Sequence, residues 1–250
     1  MFKPRVIPVL LLNGTTLVKS KKFKEYRYIG DAINAVRIFN DSKAHELVFL
    51  DINATKEKRT ISIDFVKNIG EEANMPFAVG GGIRSIESIR SIIGAGAEKV
   101  IINSAAIELP NFIYEASQIF GSSTIVVCID VKKNLFGHNK VYIKNGKEAT
   151  NYTPVEFAKL MAEKGVGEII IQSIDQDGMM NGYDLPLIKQ ISEAVSIPVI
   201  ALGGAGNLIH MQQAYTESYA NGLAAGSMFV YQGAKKGVLI NYPDKSELIF

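Results

Sequence analysis

Two glycine-rich segments follow apolar runs of the chain and could bind phosphate. Gly80–Gly82 follows residues 75–79, and Gly203–Gly204 follows residues 197–201. A serine stands 24 positions after the first glycine of each segment (80 to 104 and 203 to 227). Glycine leaves backbone N–H groups uncovered, so an anion can approach them closely. The two segments therefore predict a ligand with a phosphate at each end.

Asp130 is the residue best suited to proton transfer. It follows the apolar run Val126–Ile129, and a low-dielectric surrounding raises the pKa of a carboxyl group toward the range of general acid–base catalysis. A structural carboxylate held by Lys132 or by backbone donors is the alternative, and the residue type alone leaves both interpretations open.

Eight short apolar runs must position these residues, and segments with helical spacing separate them. The runs are continuous rather than alternating, which is typical of parallel strands covered on both faces. The predicted strands are Val6–Leu12, Leu47–Leu50, Phe77–Val79, Val100–Ile102, Ile125–Ile129, Ile169–Ile171, Val199–Leu202 and Gly222–Ala224. This alternation predicts an α/β fold, a (β/α)8 TIM barrel, with its reacting groups at the C-terminal ends of the strands.

The chain repeats itself at about half its length. Residues 45–49 match residues 167–171, and residues 6–10 match residues 125–129. We therefore predict one barrel domain over residues 1–250 with an internal half-barrel repeat, the halves covering about 1–120 and 121–240.

Three stretches between and after the strands receive separate predictions. The basic residues 19–24 are expected to form a mobile loop, and the polar residues 132–152 a small excursion after the fifth strand. The tail, residues 231–250, offers only a weak eighth helix because it contains two glycines and a proline.

Composition argues against several classes of protein. The net charge is +2, and basic and acidic residues are mixed along the chain, so the sequence shows no basic patch of the kind that binds nucleic acid. No apolar run approaches the length of a membrane span. The single cysteine excludes an internal disulfide, and Cys128 lies in an apolar run as a structural thiol would. Because the N-terminus lacks a signal-peptide pattern, we expect a cytoplasmic protein with no nucleic-acid partner and no membrane partner.

No metal or cofactor is expected either. Asp175–Gly178 resembles the start of a calcium loop, but the glutamate that would complete such a loop is absent. His45, His138 and His210 stand apart without ligand spacing. A turn that presents N–H groups near a second phosphate explains residues 175–178 better.

Five motifs, in this order, resemble the cyclase subunit of imidazole glycerol phosphate synthase (HisF), and the resemblance runs from Arg5 to about Phe229. The motifs are Glu46–Ile52, Phe77–Ile83, Lys99–Ala106, Ser173–Gly178 and Asn181–Asp184. The resemblance implies a barrel that receives ammonia from a separate glutaminase subunit, then splits and cyclises a phosphorylated small-molecule substrate. It implies catalytic roles for Asp130 and Lys19.

The resemblance also implies two groups of binding residues. The phosphate and substrate residues would be Gly82, Asn103, Ser104, Asp177, Gly178, Gly203, Gly204, Gly226 and Ser227. An ammonia gate at the opposite mouth would consist of Arg5, Glu46, Lys99 and Glu168. Ion pairs of alternating charge are also an ordinary way to close the floor of a barrel, so the gate residues have a purely structural alternative.

The chain departs from the family at the first strand. The family uses two aspartates, and the position of one falls on Leu11, which can neither take nor give a proton. Two cavity hydroxyl positions are changed to Gln172 and Leu202. This pattern is similar to a diverged branch that accompanies surface-glycan genes and is thought to convert a sugar N-acetyl group to an acetamidino group.

Three hypotheses follow. The first is an ammonia-accepting synthase subunit of a two-component glutamine amidotransferase that amidates or amidinates a sugar or nucleotide-sugar. The second is the authentic cyclase subunit of histidine biosynthesis, and the third is a non-catalytic, glutaminase-activating ammonia conduit. The isomerase relative of this barrel is a weaker possibility, because it also needs an acid at strand one.

Overall fold

Strands and helices alternate through most of the chain in the computed structural model, which describes residues 3–233 and 235–248. The strands are β1 (Arg5–Asn13), β2 (Thr16–Lys21), β3 (Lys24–Asp31), β4 (Leu47–Asp51), β5 (Phe77–Gly80), β6 (Lys99–Ile102), β7 (Ile125–Lys133), β8 (Asn139–Ile143), β9 (Glu148–Ala149), β10 (Glu168–Ser173), β11 (Val199–Leu202), β12 (Gly222–Ala225), β13 (Tyr231–Gln232) and β14 (Gly237–Val238). The α-helices are α1 (Ala32–Asp41), α2 (Ile63–Glu72), α3 (Ile86–Gly94), α4 (Ser104–Glu108), α5 (Pro110–Phe120), α6 (Pro154–Glu163), α7 (Leu185–Ser192) and α8 (Leu208–Ser218).

Eight of the strands form a closed parallel barrel. The ring runs β1, β4, β5, β6, β7, β10, β11 and β12, and β12 pairs again with β1. Each of the eight predicted apolar runs falls within one of these strands, so the predicted (β/α)8 barrel is confirmed. The division into half-barrels near residue 120 stays a prediction.

Alternation along the strands decides which side chains face the barrel interior. Successive residues of a strand point to opposite faces, so Asp130 lies on the same face as Val126 and Cys128. These two residues belong to a buried apolar cluster inside the barrel, and Leu11 and Leu50 pack against it. The opposite faces of the strands pack against the helices in a larger buried cluster.

Two barrel strands continue beyond the ring into antiparallel hairpins. β1 pairs with β2, and β2 pairs with β3. β7 pairs with β8, and β8 pairs with β9, which confirms the predicted excursion after the fifth strand. The prediction of a loop at residues 19–24 is wrong, because residues 19–21 lie in β2, Lys24 begins β3, and only residues 22–23 form the turn between them. The mobility of this stretch stays a prediction.

Among the described residues of the tail (231–233 and 235–248), the helix that the sequence weakly predicted after the eighth barrel strand does not form. After β12 the described residues contain a 3₁₀ turn (Ser227–Phe229) and the small hairpin of β13 and β14. Glycine and proline make helix costly in this stretch. Packing supplies the alternative: the Tyr242 ring stacks on Phe229 with centroids 5.6 Å apart, and its hydroxyl donates to the Val6 carbonyl oxygen at 3.0 Å.

Candidate active site

A cavity of about 640 Å³ opens at the C-terminal ends of the barrel strands. Its lining includes four acidic side chains, those of Asp51, Glu108, Asp130 and Asp177. It also includes seven basic side chains, those of Lys19, Lys56, Lys58, Arg59, Arg84, Lys144 and Lys147. Basic groups therefore outnumber acidic ones around the cavity, and this imbalance favours a negatively charged ligand.

Asp130 lies on the cavity wall and is only 7% exposed. Burial raises the pKa of its carboxyl group to about 7, and the charge of Asp177 acts in the same direction. Hydrogen bonds from the Cys128 thiol, whose sulfur lies 3.7 Å from Oδ1, and from Asn103 oppose that rise in the pKa. The carboxyl group can therefore hold or release a proton near neutral pH.

The ion pair with Lys132 that the sequence left open for Asp130 does not form. The Lys132 ammonium lies instead 5.8 Å from the centre of the Tyr142 ring. Cys128 is buried, as expected of a structural thiol, but it also lines the cavity and contacts Asp130.

Lys19 extends from β2 into the same cavity and is 4% exposed. Its ammonium donates a hydrogen bond to the Val9 carbonyl oxygen. Burial lowers the pKa of Lys19 to about 8, although the charge of Asp177 opposes this. A side chain at Gly226 would collide with the Lys19 ammonium, so the glycine provides the space that the lysine occupies.

Asp177 anchors the β2–β3 hairpin across the cavity mouth. Its Oδ2 accepts hydrogen bonds from the Ser20 hydroxyl at 2.7 Å and from the Phe23 N–H at 3.2 Å, and its carbonyl oxygen accepts from the Lys22 N–H at 3.0 Å. Gly178, with φ +69°, lies against the Ser20 carbonyl oxygen, where a side chain would collide. These two residues therefore hold the hairpin in place, and both line the cavity.

The hairpin also touches the turn between β8 and β9. Gly146, with φ +71°, packs against the side chains of Phe23 and Ile174, and a Cβ there would lie 3.3 Å from the Phe23 ring and 2.9 Å from Ile174. Phe23 lines the cavity, as do Lys144 and Asn145 next to Gly146. The two turns thus approach from different strands and meet at the cavity mouth.

The first predicted phosphate site brings together Gly82, Asn103 and Ser104. Gly82 has φ +64°, and a side chain there would collide with the Arg59 carbonyl oxygen. The Ser104 hydroxyl donates to Asn103 Oδ1 at 3.1 Å and accepts from the Lys144 N–H at 3.1 Å. The site therefore lies between the backbones of Arg59 and Lys144, whose side chains pair with Asp51 and Glu148.

The second predicted phosphate site lies across the ring, at the ends of β11 and β12. Gly203 (φ +93°) and Gly204 (φ +110°) pack against neighbouring backbone, and Gly204 leaves no room for a side chain beside the Gly182 carbonyl oxygen. Gly226 and the buried Ser227 complete this edge of the cavity. Lys19 is the cation that lies against it, at Gly226.

The four predicted gate residues form a ring of ion pairs at the opposite end of the barrel. Arg5 bonds Glu46 at 2.5 Å and Glu168 at 2.7 Å, and Lys99 lies 3.2 Å from both carboxylates. Burial alone would lower the pKa of the Arg5 guanidinium, but Glu46 and Glu168 more than offset it and raise that pKa. The Arg5 guanidinium therefore keeps its charge within the ring.

Apolar residues separate this ring from the cavity. A space of about 10 Å³ lies above Glu46 and Glu168, and its other walls are apolar side chains. The set consists of Ile7, Val48, Ala78, Ile101, Val126, Ile170, Ile200 and Ala224. Such a volume holds roughly one water-sized molecule, and an apolar wall favours a small neutral molecule over an ion.

Sequence reasoning missed the basic residues of the cavity wall. Arg59 donates to Asp51 at 2.5 Å and presents its carbonyl oxygen to Gly82, and Lys144 and Lys147 come from the β8–β9 turn. The available signal was the cluster of lysines and arginine at residues 56–59 and 144–147, which lies outside the predicted barrel strands.

The fold and the cavity define a (β/α)8-barrel protein with a predominantly basic cavity at the end where barrel enzymes carry their active sites. The chain belongs to the family described as "Histidine biosynthesis protein", whose model matches residues 5–235.

Relatives of similar length support the same assignment. A Leptospira borgpetersenii protein named "Putative imidazole glycerol phosphate synthase subunit HisF" is 44% identical over 99% of this chain and 98% of its own. A Pseudomonas aeruginosa protein named "Putative imidazole glycerol phosphate synthase subunit hisF2" is 41% identical over 99% of each chain. An Alkaliphilus metalliredigens protein named "Imidazole glycerol phosphate synthase subunit HisF" is 43% identical over 92% of each.

The raised pKa of Asp130 predicts a pH-dependent effect of Asp130→Asn on stability. Between pH 4 and about 7 the carboxyl group is ionised in the unfolded chain but protonated in the folded one, so it destabilises the fold increasingly as pH rises. The free energy of unfolding of the variant, relative to that of wild type, should therefore be higher at pH 8 than at pH 4, by up to about 4 kcal/mol. Urea denaturation at both pH values measures the difference.

Ser227→Ala is the matched control, because it removes a buried cavity side chain that does not titrate in this range. Its effect on the free energy of unfolding should be the same at pH 4 and pH 8. A pH-independent effect of Asp130→Asn would contradict the raised pKa.

Proposed function

We propose that this chain is the ammonia-accepting synthase subunit of a two-component glutamine amidotransferase. The observation that carries the proposal is the alignment of three features in one barrel: the ion-pair ring, the apolar interior and a basic cavity containing Asp130. Ammonia from a glutaminase partner would enter at the ring formed by Arg5, Glu46, Lys99 and Glu168. It would cross the interior as a neutral molecule and meet a phosphorylated acceptor in the cavity.

Within this proposal the cavity residues divide into two roles. Asp130 and Lys19 are the catalytic groups, because both are buried and their pKa values are shifted toward neutrality, to about 7 and about 8. The glycine turns, Asn103 and Ser104 bind the phosphates, together with Arg59 and Lys144. Ligand binding would bring negative charge to a wall on which basic groups are in excess.

The acceptor is proposed to be a sugar or nucleotide-sugar of surface-glycan biosynthesis rather than the histidine-pathway intermediate. Leu11 and Leu50 are direct neighbours across the β1–β4 ladder. Leu202 on β11 is the direct neighbour of Gln172 on β10. All four side chains line the cavity. The wall formed by β1 and β4 is therefore apolar at the level where a second acid would be needed, and it suits an uncharged substituent of the acceptor.

The authentic cyclase of histidine biosynthesis is the second candidate. The name of the Alkaliphilus metalliredigens relative favours it, as does the match to the family model. It requires some residue other than Leu11 to supply the second proton transfer. The assay that follows separates the two candidates.

Formation of imidazole glycerol phosphate in saturating ammonium chloride tests the choice of acceptor. We expect turnover to be lower than that of a two-aspartate cyclase by about 10²–10⁴-fold, because one member of the acid–base pair is lost. Leu11→Asp should recover part of the rate. Turnover at the full rate of a two-aspartate enzyme would reject the glycan acceptor in favour of the histidine-pathway cyclase.

Asp130→Asn tests whether the barrel is catalytic at all. In the assembly with a glutaminase, product formation from N-acetylated nucleotide-sugars, followed by mass spectrometry, should fall about 10²–10⁴-fold. The rate of glutamine hydrolysis should stay near that of wild type. Unchanged product formation would leave only the role of an ammonia conduit.

Lys99→Met tests the gate separately from the chemistry. Removing the ammonium leaves Glu46, which is only 4% exposed, facing Glu168 with a single cation between them. The free energy of unfolding should fall by about 3 kcal/mol. Glutamine-dependent product formation should fall, while product formation from added ammonium chloride should remain. An equal loss with both nitrogen sources would argue for a structural ring only.

A further inference from the structure

The hairpin formed by β7 and β8 ends in an apolar tip that the cavity does not use. The Leu135 side chain is fully exposed and the Phe136 side chain is 84% exposed, and neither lines the cavity. Burial of two adjacent large apolar side chains would stabilise the protein, so their exposure to water is unfavourable. Such a tip is a candidate contact surface.

The tip is held in a defined turn. Asn134 Oδ1 accepts hydrogen bonds from the Phe136 N–H at 2.9 Å and the His138 N–H at 3.0 Å. The Asn134 N–H donates to the His138 carbonyl oxygen at 2.9 Å, and Gly137 has φ +79°. The two apolar side chains are therefore presented outward by an ordered turn.

Lysines flank the tip on both strands. Residues 131–140, which we call the basic hairpin, contain three lysines and no aspartate or glutamate. The nearest carboxylates belong to Asp175, which accepts from the Lys133 N–H at 2.9 Å, and to Glu148, which pairs with Lys144 outside the basic hairpin. Lys132 and Lys140 are direct neighbours across the β7–β8 ladder, and like charges in that position repel. A negatively charged surface at the hairpin would relieve that repulsion.

The basic hairpin lies on the mouth side of the barrel. It continues β7 beyond its C-terminal end, where the cavity opens. The β2–β3 hairpin continues β1, which lies four positions from β7 in the ring of eight strands, and carries the exposed residues Lys22, Lys24 and Tyr28. Basic and aromatic side chains thus flank the cavity mouth on opposite sides.

We propose that the basic hairpin docks the barrel onto an anionic lipid bilayer, with Leu135 and Phe136 in the headgroup region and with Lys132, Lys133 and Lys140 against lipid phosphates. Apolar residues on a protruding tip, flanked by lysines, match the chemistry of an anionic membrane surface. The proposal does not depend on the identity of the acceptor. In this orientation of the barrel the cavity mouth faces the bilayer.

This proposal departs from the expectation of no membrane partner, which was drawn from the lack of a spanning run and of a signal-peptide pattern. Among the described residues no helix is long and apolar enough to span a bilayer. A two-residue tip needs no spanning helix, because it would contact only the bilayer surface through the exposed side chains of Leu135 and Phe136.

Tryptophan fluorescence tests the proposal, because the chain contains no tryptophan. Phe136→Trp introduces a single probe at the tip. Vesicles of phosphatidylcholine and phosphatidylglycerol should shift its emission to the blue, and brominated lipid should quench it. Vesicles of phosphatidylcholine alone should do neither. The control is Ile119→Trp, at an exposed position near the C-terminal end of α5 and hence at the gate end of the barrel, and it should not respond.

Vesicle sedimentation supplies the affinity. The double variant Leu135→Ser, Phe136→Ser should bind anionic vesicles at least about tenfold more weakly. Lys132→Gln, Lys140→Gln should weaken binding by about 25-fold, since each lysine near an anionic surface contributes about fivefold. Circular dichroism should show that both variants are folded.

Three outcomes would overturn the proposal. They are no response of Phe136→Trp to anionic vesicles, an equal response of Ile119→Trp, and a response of Phe136→Trp only when a purified glutaminase subunit is added. The last outcome would assign the tip to a protein contact instead.

Discussion

The closed parallel ladder is the constraint on which the rest of this structure depends. Pairing of β7 with β10 over six residues completes the ring and makes Asp130 the direct neighbour of Gln172. Closure brings eight strand ends to one mouth and removes the barrel interior from water. Without that exclusion of water, neither the raised pKa of Asp130 nor the lowered pKa of Lys19 would have a physical cause.

The two ends of the barrel differ in their balance of charged side chains. At one end four charged side chains neutralise each other within a ring. At the other, the basic residues of the cavity wall outnumber the acidic ones. An apolar interior lies between them. This distribution is what a path for a small neutral molecule toward an anionic acceptor requires.

Much of this arrangement could be predicted from local sequence. The eight strands were recognisable because each is a continuous apolar run, and strand ends identify cavity residues such as Asp130 once a barrel is assumed. Only the family resemblance indicated a role for Lys19; its neighbours in sequence do not predict its position in the cavity, which depends on Asp177, more than 150 residues away, as the anchor of its hairpin. Arg59 and Lys144 were missed for the same reason: their place in the wall is set by contacts with Gly82 and Ser104.

The contact between Phe23 and Gly146 couples two walls of the cavity. Phe23 belongs to the turn between β2 and β3, and Gly146 belongs to the turn between β8 and β9 that also supplies Lys144 and Asn145 to the cavity lining. A displacement of either turn therefore moves side chains that line the cavity. A bulkier residue at position 146 would be forced into a left-handed backbone conformation and against Phe23 and Ile174, so it would change the shape of the cavity without changing its charge.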